Sequence, residues 1–439
     1  MDIMRCTAAM VGALFTCTAL LHGRVSGSAA AVQLYAAAAM HPNPVISRGA
    51  PAFSGGGKPA YANDSSYDTA WESGVPDYLA YDLSGIPAAQ RQSVIAVWYN
   101  ESTYDNLGKY VTQTAEPTDY VIEVNAAAGG TLPASGWKTA VSVQSNTRSS
   151  RQHLVELGGC GWIRLRVTKA VGSKIKLNFD IHDASQGVSD SWIFIGDSIT
   201  QCGMVNQTGT GFAAHIHALN PDYYPAAENA GISGLTSADG KASIDGWLDG
   251  SPVRYVSIAY GTNDCWGHSD GAASFYANTK YMIDAVLKRG KIPVLPTIPY
   301  ASSQKVGPNL PACSKMVQQL YAEYGSRLVH GPDLETFFRE HPDLLSSDGI
   351  HPSEEGYAAM RKLWAETMYA AVYAEPAAVT GDLNADGLCD IADVKLLRDF
   401  LTAKITLGET AAAAADLDQN GKLNAADLTL LKRLILRSV

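Results

Sequence analysis

The chain has 439 residues, 46% of them hydrophobic and 17% charged. That is the balance of a soluble globular protein, and the length is too great for one ordinary domain, so two to four are expected. A formal net charge of -10 and a pI near 5.5 provide no basic face for nucleic acid or an anionic membrane, and an acidic solvated surface is the simpler reading.

The N-terminus places Arg5 before an apolar run over 7–21 and small residues through Ser28, Ala29, Ala30 and Ala31. Basic, then apolar, then small is the order of a secretory leader, expected over 1–30, and the run is short for a membrane span. Attachment of lipid at Cys17 is disfavoured because Phe15 and Thr16 precede it. No other segment is long and apolar enough to span a bilayer. Of the seven cysteines, Cys6 and Cys17 leave with the leader, and the remaining Cys160, Cys202, Cys265, Cys313 and Cys389 are too sparse and odd in number for a disulfide framework.

Over 45–183, runs at 78–83, 93–99, 120–124, 139–143, 153–157, 162–167 and 174–179 alternate apolar and polar residues between Gly, Pro, Asn and Asp. This is the pattern of an antiparallel β-sandwich. The stretches Asn63-Asp64, Thr69-Ala70-Trp71-Glu72-Ser73, Tyr81-Asp82-Leu83 and Gly161-Trp162-Ile163-Arg164-Leu165-Arg166-Val167 resemble the discoidin-like, galactose-binding-like sandwich. The resemblance implies loops that bind glycans or other surfaces, with a structural calcium nearby. Asp64 and Asp68 are candidate calcium ligands, although turn residues are the preferred reading, and Trp71 reads as core.

From 190 the pattern changes to strands at 192–195, just before 229, and at 255–260, 292–298 and 327–330. Helices at 211–219, 272–289, 313–324 and 354–373 alternate with them. Such alternation predicts a parallel sheet covered by helices on both faces. The first strand ends in Gly196-Asp197-Ser198, a serine at a tight turn where open α/β sheets bind ligands. A serine needs a base and an oxyanion site. Asp348 and His351, three residues apart, can pair so that the imidazole is oriented and its other nitrogen is free. Asn229-Ala230-Gly231-Ile232-Ser233-Gly234 and Gly261-Thr262-Asn263-Asp264 offer an amide and a carboxamide of the donor types an oxyanion requires.

In this order, these four blocks resemble the SGNH/GDSL hydrolase family over about 190–375. The resemblance implies a flavodoxin-like α/β/α fold, with Ser198 as nucleophile, His351 as general base and acid, and Asp348 as its orienting partner. It implies oxyanion donors at the Ser198 amide, the Gly234 amide and the Asn263 side chain, and no cofactor for catalysis. Cys202-Gly203 departs from the small residue many relatives carry before glycine. Cys202 and Cys265 follow the nucleophile and Asn263 closely enough that the fold can bring them together, but buried free thiols are the preferred reading. Trp266 and His268 are candidates to line the acyl or sugar pocket. His215 and His217 lie two apart, on different helix faces, and read as structural. The stretch 234–241 has neither the glycine spacing nor the following Ser or Thr of a phosphate loop.

A Pro376-Ala-Ala linker precedes two repeats 34 residues apart. In each, positions 1, 3, 5, 9 and 12 carry oxygen ligands and position 6 is glycine, with position 7 contributing its carbonyl. The first comprises Asp382, Asn384, Asp386, Leu388, Asp390 and Asp393, the second Asp416, Asp418, Asn420, Lys422, Asn424 and Asp427. This is EF-hand loop logic with Asp at position 12. Each loop leads into an amphipathic helix, and the pair resembles a type I dockerin over 380–438. The resemblance implies two calcium ions and docking to a cohesin through Ile391, Ala392, Ala425 and Ala426.

The combination predicts a multidomain, secreted, cellulosome-associated carbohydrate esterase that removes acetyl groups from plant polysaccharide such as xylan. Feruloyl esterase, lipase or thioesterase chemistry, or a non-catalytic glycan-binding subunit, are the alternatives.

Overall fold

The computed structural model describes residues 40–100, 115–206, 210–266, 271–374, 380–384 and 388–437. The expected leader lies outside the described residues, as do His268 and Asp386. Among those described, no helix is long and apolar enough to cross a membrane.

The first module is built from β1 (Ala52–Ser54), β2 (Trp71–Gly74), β3 (Asp77–Asp82), β4 (Ser93–Asn100), β5 (Pro117–Asn125), β6 (Lys138–Val143), β7 (Ser150–Glu156), β8 (Trp162–Ala170) and β9 (Lys174–Asp183). They form two antiparallel sheets, of order β1-β3-β8-β5-β6 and β2-β9-β4-β7. Strand β8 shows why the alternation produces this. Ile163, Leu165 and Val167 are fully buried on one face, while Arg164 and Arg166 on the other reach Glu123 at 2.6 and 3.2 Å. The buried faces of both sheets enclose one core, in which Leu79, Tyr81, Ile122 and Leu165 meet Trp71, Trp98, Leu177 and Phe179. Trp71 is wholly buried and its indole donates to the Gly56 carbonyl at 3.0 Å, so it is core, as expected. Strands β1 and β2, three and four residues long, are too short for a periodicity to register.

The second module has a five-stranded parallel sheet of β10 (Ser191–Gly196), β11 (Ala226–Gly231), β12 (Tyr255–Ala259), β13 (Ile292–Leu295) and β14 (Val329–His330), in the order β11-β10-β12-β13-β14. Around it lie α1 (Ser198–Gly203), α2 (Phe212–Leu219), α3 (Ser237–Leu248), α4 (Gly271–Lys288), α5 (Leu310–Tyr324), α6 (Leu334–Glu340) and α7 (Glu354–Met368), the last continuing as a π turn at Tyr369–Tyr373. Strand β10 is apolar on both faces because both are covered. Ile193 and Ile195 join the core packed by α3, α4 and α5, whereas Trp192 and Phe194 join the core packed by α2 and α7. The stretch resembling a phosphate loop is the start of α3, where the Asp239 carboxylate accepts the Thr236 N–H at 2.9 Å as part of a capping box.

Strand β11 is an edge of this sheet, and the first module covers it. Ser150 Oγ lies 2.7 Å from the Asn229 N–H, Gln152 Nε2 donates to the Trp192 carbonyl at 2.7 Å, and Arg148 pairs with Glu228. The N–H and carbonyl of Asn229 on this open edge are thereby satisfied within the chain, while the Gln152 bond reaches the neighbouring strand β10.

Near the C-terminus, α8 (Ile391–Leu401), α9 (Glu409–Ala415) and α10 (Ala425–Arg437) surround a small core of Leu383, Val394, Leu397, Ala415 and Leu431. The alanine run of α9 carries no amphipathic stripe, so no periodicity in the sequence marks this helix.

Candidate active site

At the carboxyl end of β10 the chain turns sharply into α1. Gly196 permits the turn, since a Cβ there would lie 2.1 Å from Thr200 Oγ1 and 2.6 Å from the Ala259 carbonyl oxygen. Asp197 caps α1 by accepting the Ile199 N–H at 3.0 Å. Burial pushes this carboxyl up to about 7, against the hydrogen bond from Ile199. Ser198 is left half-buried at the first position of the helix.

Ser198 Oγ lies 2.8 Å from His351 Nε2, and His351 Nδ1 lies 2.6 Å from Asp348 Oδ2. The loop carrying these two residues is held by a bridge between Leu345 and Pro352 and by the Ser346 N–H donating to the His351 carbonyl at 2.7 Å. Burial works against the ionised Asp348. Hydrogen bonds from the His351 ring, the N–H groups of Ile350 and His351 and the Ser346 hydroxyl outweigh it, holding the carboxyl well below the usual carboxylate range. Ser346 has no distinguishing signal in the sequence, because a serine two residues before an Asp-Gly turn is ordinary turn chemistry.

The two candidate oxyanion loops are also fixed. Gly234 has φ +77°, a left-handed conformation suited to glycine. Two residues anchor the preceding turn. Asn229 donates from Nδ2 to the Gln201 carbonyl at 2.9 Å and accepts the Gly231 N–H at 3.1 Å, while Gln201 Oε1 accepts the Ser233 N–H at 2.9 Å. Asn263 donates one carboxamide hydrogen to the Leu235 carbonyl at 2.9 Å, which leaves its second N–H. Asp264 accepts the Ser237 N–H at 3.0 Å and the Ser237 hydroxyl at 2.5 Å, tying the Asn263 loop to α3. The roles of Gln201 and Asp264 escaped the sequence because both act through backbone groups far along the chain.

Cys202 does not meet Cys265. It lies against the Tyr357 hydroxyl, while the Cys265 sulfur is 2.8 Å from that of Cys313, because α5 and not α1 packs beside the Asn263 loop. Trp266 is 42% exposed, with Lys305 Nζ 5.3 Å from the ring centroid. His217 Nδ1 lies 3.0 Å from the Tyr223 carbonyl oxygen, and burial, then Arg361 and Lys362, lowers the His215 pKa. Asp64 accepts from the Ser66 N–H at 3.0 Å and the Thr69 hydroxyl at 2.8 Å, which is turn chemistry. A cleft of about 720 Å³ lies where the loop 65–68 faces α2. None of the triad residues lines it, and its Arg48 is tied to Asp180 at 3.1 Å between the rings of Tyr67 and Tyr224.

In the second C-terminal repeat, carboxylate oxygens of Asp416, Asp418 and Asp427 lie within 4.8 Å of one another. Asp427 is fully buried and accepts the N–H groups of Leu417 and Asn424. In the first repeat, buried Asp393 accepts those of Leu383, Asn384 and Asp390. Converging oxygens of this kind fit a hard divalent cation such as calcium. At position 9, one oxygen of Asp390 and that of Asn424 also cap the following helices through the N–H groups of Ala392 and Ala426, each at 2.7 Å. Ile391 is 75% exposed, Ala425 and Ala426 are exposed, and Ala392 is half-buried.

Residues 194–359 match the GDSL-like Lipase/Acylhydrolase family and residues 380–436 match the Dockerin type I domain. The chain therefore carries a GDSL/SGNH acylhydrolase domain and a type I dockerin domain. It is 28% identical over 207 residues to an acetylxylan esterase from Geobacillus stearothermophilus, covering 40% of this chain and 92% of that protein. Among solved structures, an acetyl xylan esterase variant from the same organism is 25% identical, with TM-score 0.35 over 42% of this chain and 95% of the other. A lipase/acylhydrolase from Enterococcus faecalis is 23% identical, with TM-score 0.35 over 40% and 94%.

Proposed function

We propose that this protein is an extracellular, cohesin-tethered carbohydrate esterase that removes O-acetyl groups from a plant cell-wall polysaccharide such as xylan. The observation that carries this reading is the continuous hydrogen-bonded chain from Ser198 through His351 to Asp348, at 2.8 and 2.6 Å. The acetylxylan esterase relative supports the acetyl substrate, and the dockerin domain supports attachment to a cohesin-bearing scaffold and an extracellular setting.

In this reading Ser198 Oγ attacks the ester carbonyl while His351 Nε2 takes its proton. The N–H groups of Ser198 and Gly234 and the free N–H of Asn263 stabilise the negative charge that develops on the carbonyl oxygen. Collapse expels the sugar hydroxyl, which receives the proton from His351. Water, deprotonated by the same nitrogen, then attacks the acetyl-serine and releases acetate. Asp348 keeps the imidazole in the required tautomer and stabilises its cation. The catalytic part runs over 190–375, the dockerin over 380–438, and the first module over 45–183 takes a discoidin-like fold. Calcium, held by the dockerin carboxylates, orders the docking surface and takes no part in ester cleavage.

The test is acetate release from acetylated xylan and acetylated pectin by the wild type and by Ser198→Ala. Release by the wild type alone supports the assignment, and the preferred polymer identifies the substrate. Absence of release from both polymers by the wild type would overturn the acetyl reading.

A further inference from the structure

We infer that Cys265 and Cys313 form a disulfide that clamps the Asn263 loop to the first turn of α5. Their sulfurs are 2.8 Å apart, although the residues are separated by 48 positions, and both side chains are buried. Non-bonded carbon atoms rest at about 3.5–4.0 Å and sulfur is larger, so two thiols at this separation are crowded, and a covalent bond relieves the crowding. The surroundings hold the pair in register. Asn309, beside the start of α5, donates from Nδ2 to the Cys265 carbonyl at 2.9 Å, and the Cys265 N–H closes a turn onto the Gly261 carbonyl at 3.0 Å.

A clamp at this place has a clear use. Asn263 sits two residues before Cys265, in a loop tied by hydrogen bonds to the Leu235 carbonyl and to Ser237 at the start of α3. A covalent link to α5 limits how far the carboxamide can drift. Buried cysteines are otherwise inert, and disulfides persist in oxidising extracellular settings.

Formation is a thiol–disulfide exchange during folding, before the pair is buried. The thiolate of one cysteine attacks a small-molecule disulfide such as oxidised glutathione and releases one glutathione thiolate. The other cysteine then attacks the mixed disulfide, forms the Cys265–Cys313 bond and releases the second. Two protein thiols lose two protons and two electrons, and one glutathione disulfide becomes two glutathione thiols.

The experiment is to refold the full chain with a glutathione redox couple, alkylate it under denaturing conditions and digest it with trypsin. The tryptic peptides 255–280 and 306–315, which contain Cys265 and Cys313, should appear as one linked species that separates on reduction, and Cys202 should be alkylated in full. Recovery of both peptides separately and fully alkylated without reduction overturns the inference. Cys313→Ser should lower Tm by roughly 5–10 °C relative to the oxidised wild type, and reduced wild type should show the same loss. An equal Tm for oxidised and reduced wild type counts against a clamp. These readouts need no activity, so they stand or fall apart from the esterase assignment.

Discussion

Arg148 Nη1 lies 2.7 Å from Glu228 Oε1, and both side chains are buried, at 9% and 1% exposed. Arg148 belongs to the first module and Glu228 to the edge strand of the parallel sheet. The neighbouring Ser150 bonds to Asn229, whose own carboxamide braces Gln201 and Gly231 beside the nucleophile turn. The first module is thus part of the support of the candidate site.

Removing one member of a buried ion pair leaves an uncompensated charge and costs about 3–5 kcal/mol. Arg148→Ala should therefore lower the melting temperature clearly, while Arg148→Lys, which keeps the charge but not the planar fork, should lower it less. By the same reasoning a fragment beginning at residue 190 should aggregate or unfold, because strand β11 loses its cover. A soluble fragment with the melting temperature of the whole chain would refute this.

Asp348 is the subject of a second prediction. Asp348→Asn should reduce kcat by about 10²–10⁴-fold with little change in KM, since the tautomer and the imidazolium lose their partner while substrate contacts persist. Asn263→Ala should cost about 10²–10³-fold in kcat. Steady-state acetate release measures both. Because the Asp348 carboxyl is held well below the usual range, the stability drawn from its hydrogen bonds is fully present above the unfolded-state pKa near 3.9 and is lost as pH falls from there through the depressed folded pKa.

A third concerns Asp190, buried just before the start of β10, where it accepts the Tyr373 hydroxyl at 2.6 Å. Burial raises its pKa to about 7, against the hydrogen bonds from Tyr373 and Trp192. In the unfolded chain it titrates near 3.9. Between those values the folded state retains a proton that the unfolded chain has released, so stability falls as pH rises through this window. Asp190→Asn should flatten the pH dependence of Tm between about 4 and 7. The flattening should be partial, because buried Asp197, also raised to about 7, contributes a slope of the same sign. An unchanged slope in the variant would count against the assignment.

Chelation of calcium should abolish cohesin capture and melt the C-terminal repeats while acetate release persists, since the converging carboxylates of Asp416, Asp418 and Asp427 belong to the second C-terminal repeat and none of the triad residues is among them. Ile391→Asp should weaken capture at least tenfold, as a hot-spot apolar contact would, without altering turnover. Pull-down on a cohesin column and an acetate assay in parallel separate the two.

What the sequence alone determined was whatever depends on local order. Gly196-Asp197-Ser198 after an apolar run, Asp348 three residues before His351, and two calcium-type loops each encode their geometry within a few residues. The alternation in β8 and the all-apolar β10 likewise announced their sheets, since burial on one face or on two is written directly into the spacing of side chains. Only the tertiary structure could decide pairings between distant segments. It set Cys265 against Cys313 and not Cys202, made Gln201 and Asp264 the braces of the candidate oxyanion loops, and laid Arg148 and Ser150 on the edge of β11. Such contacts depend on which faces the packed helices and sheets bring together, and no periodicity along the chain carries that information.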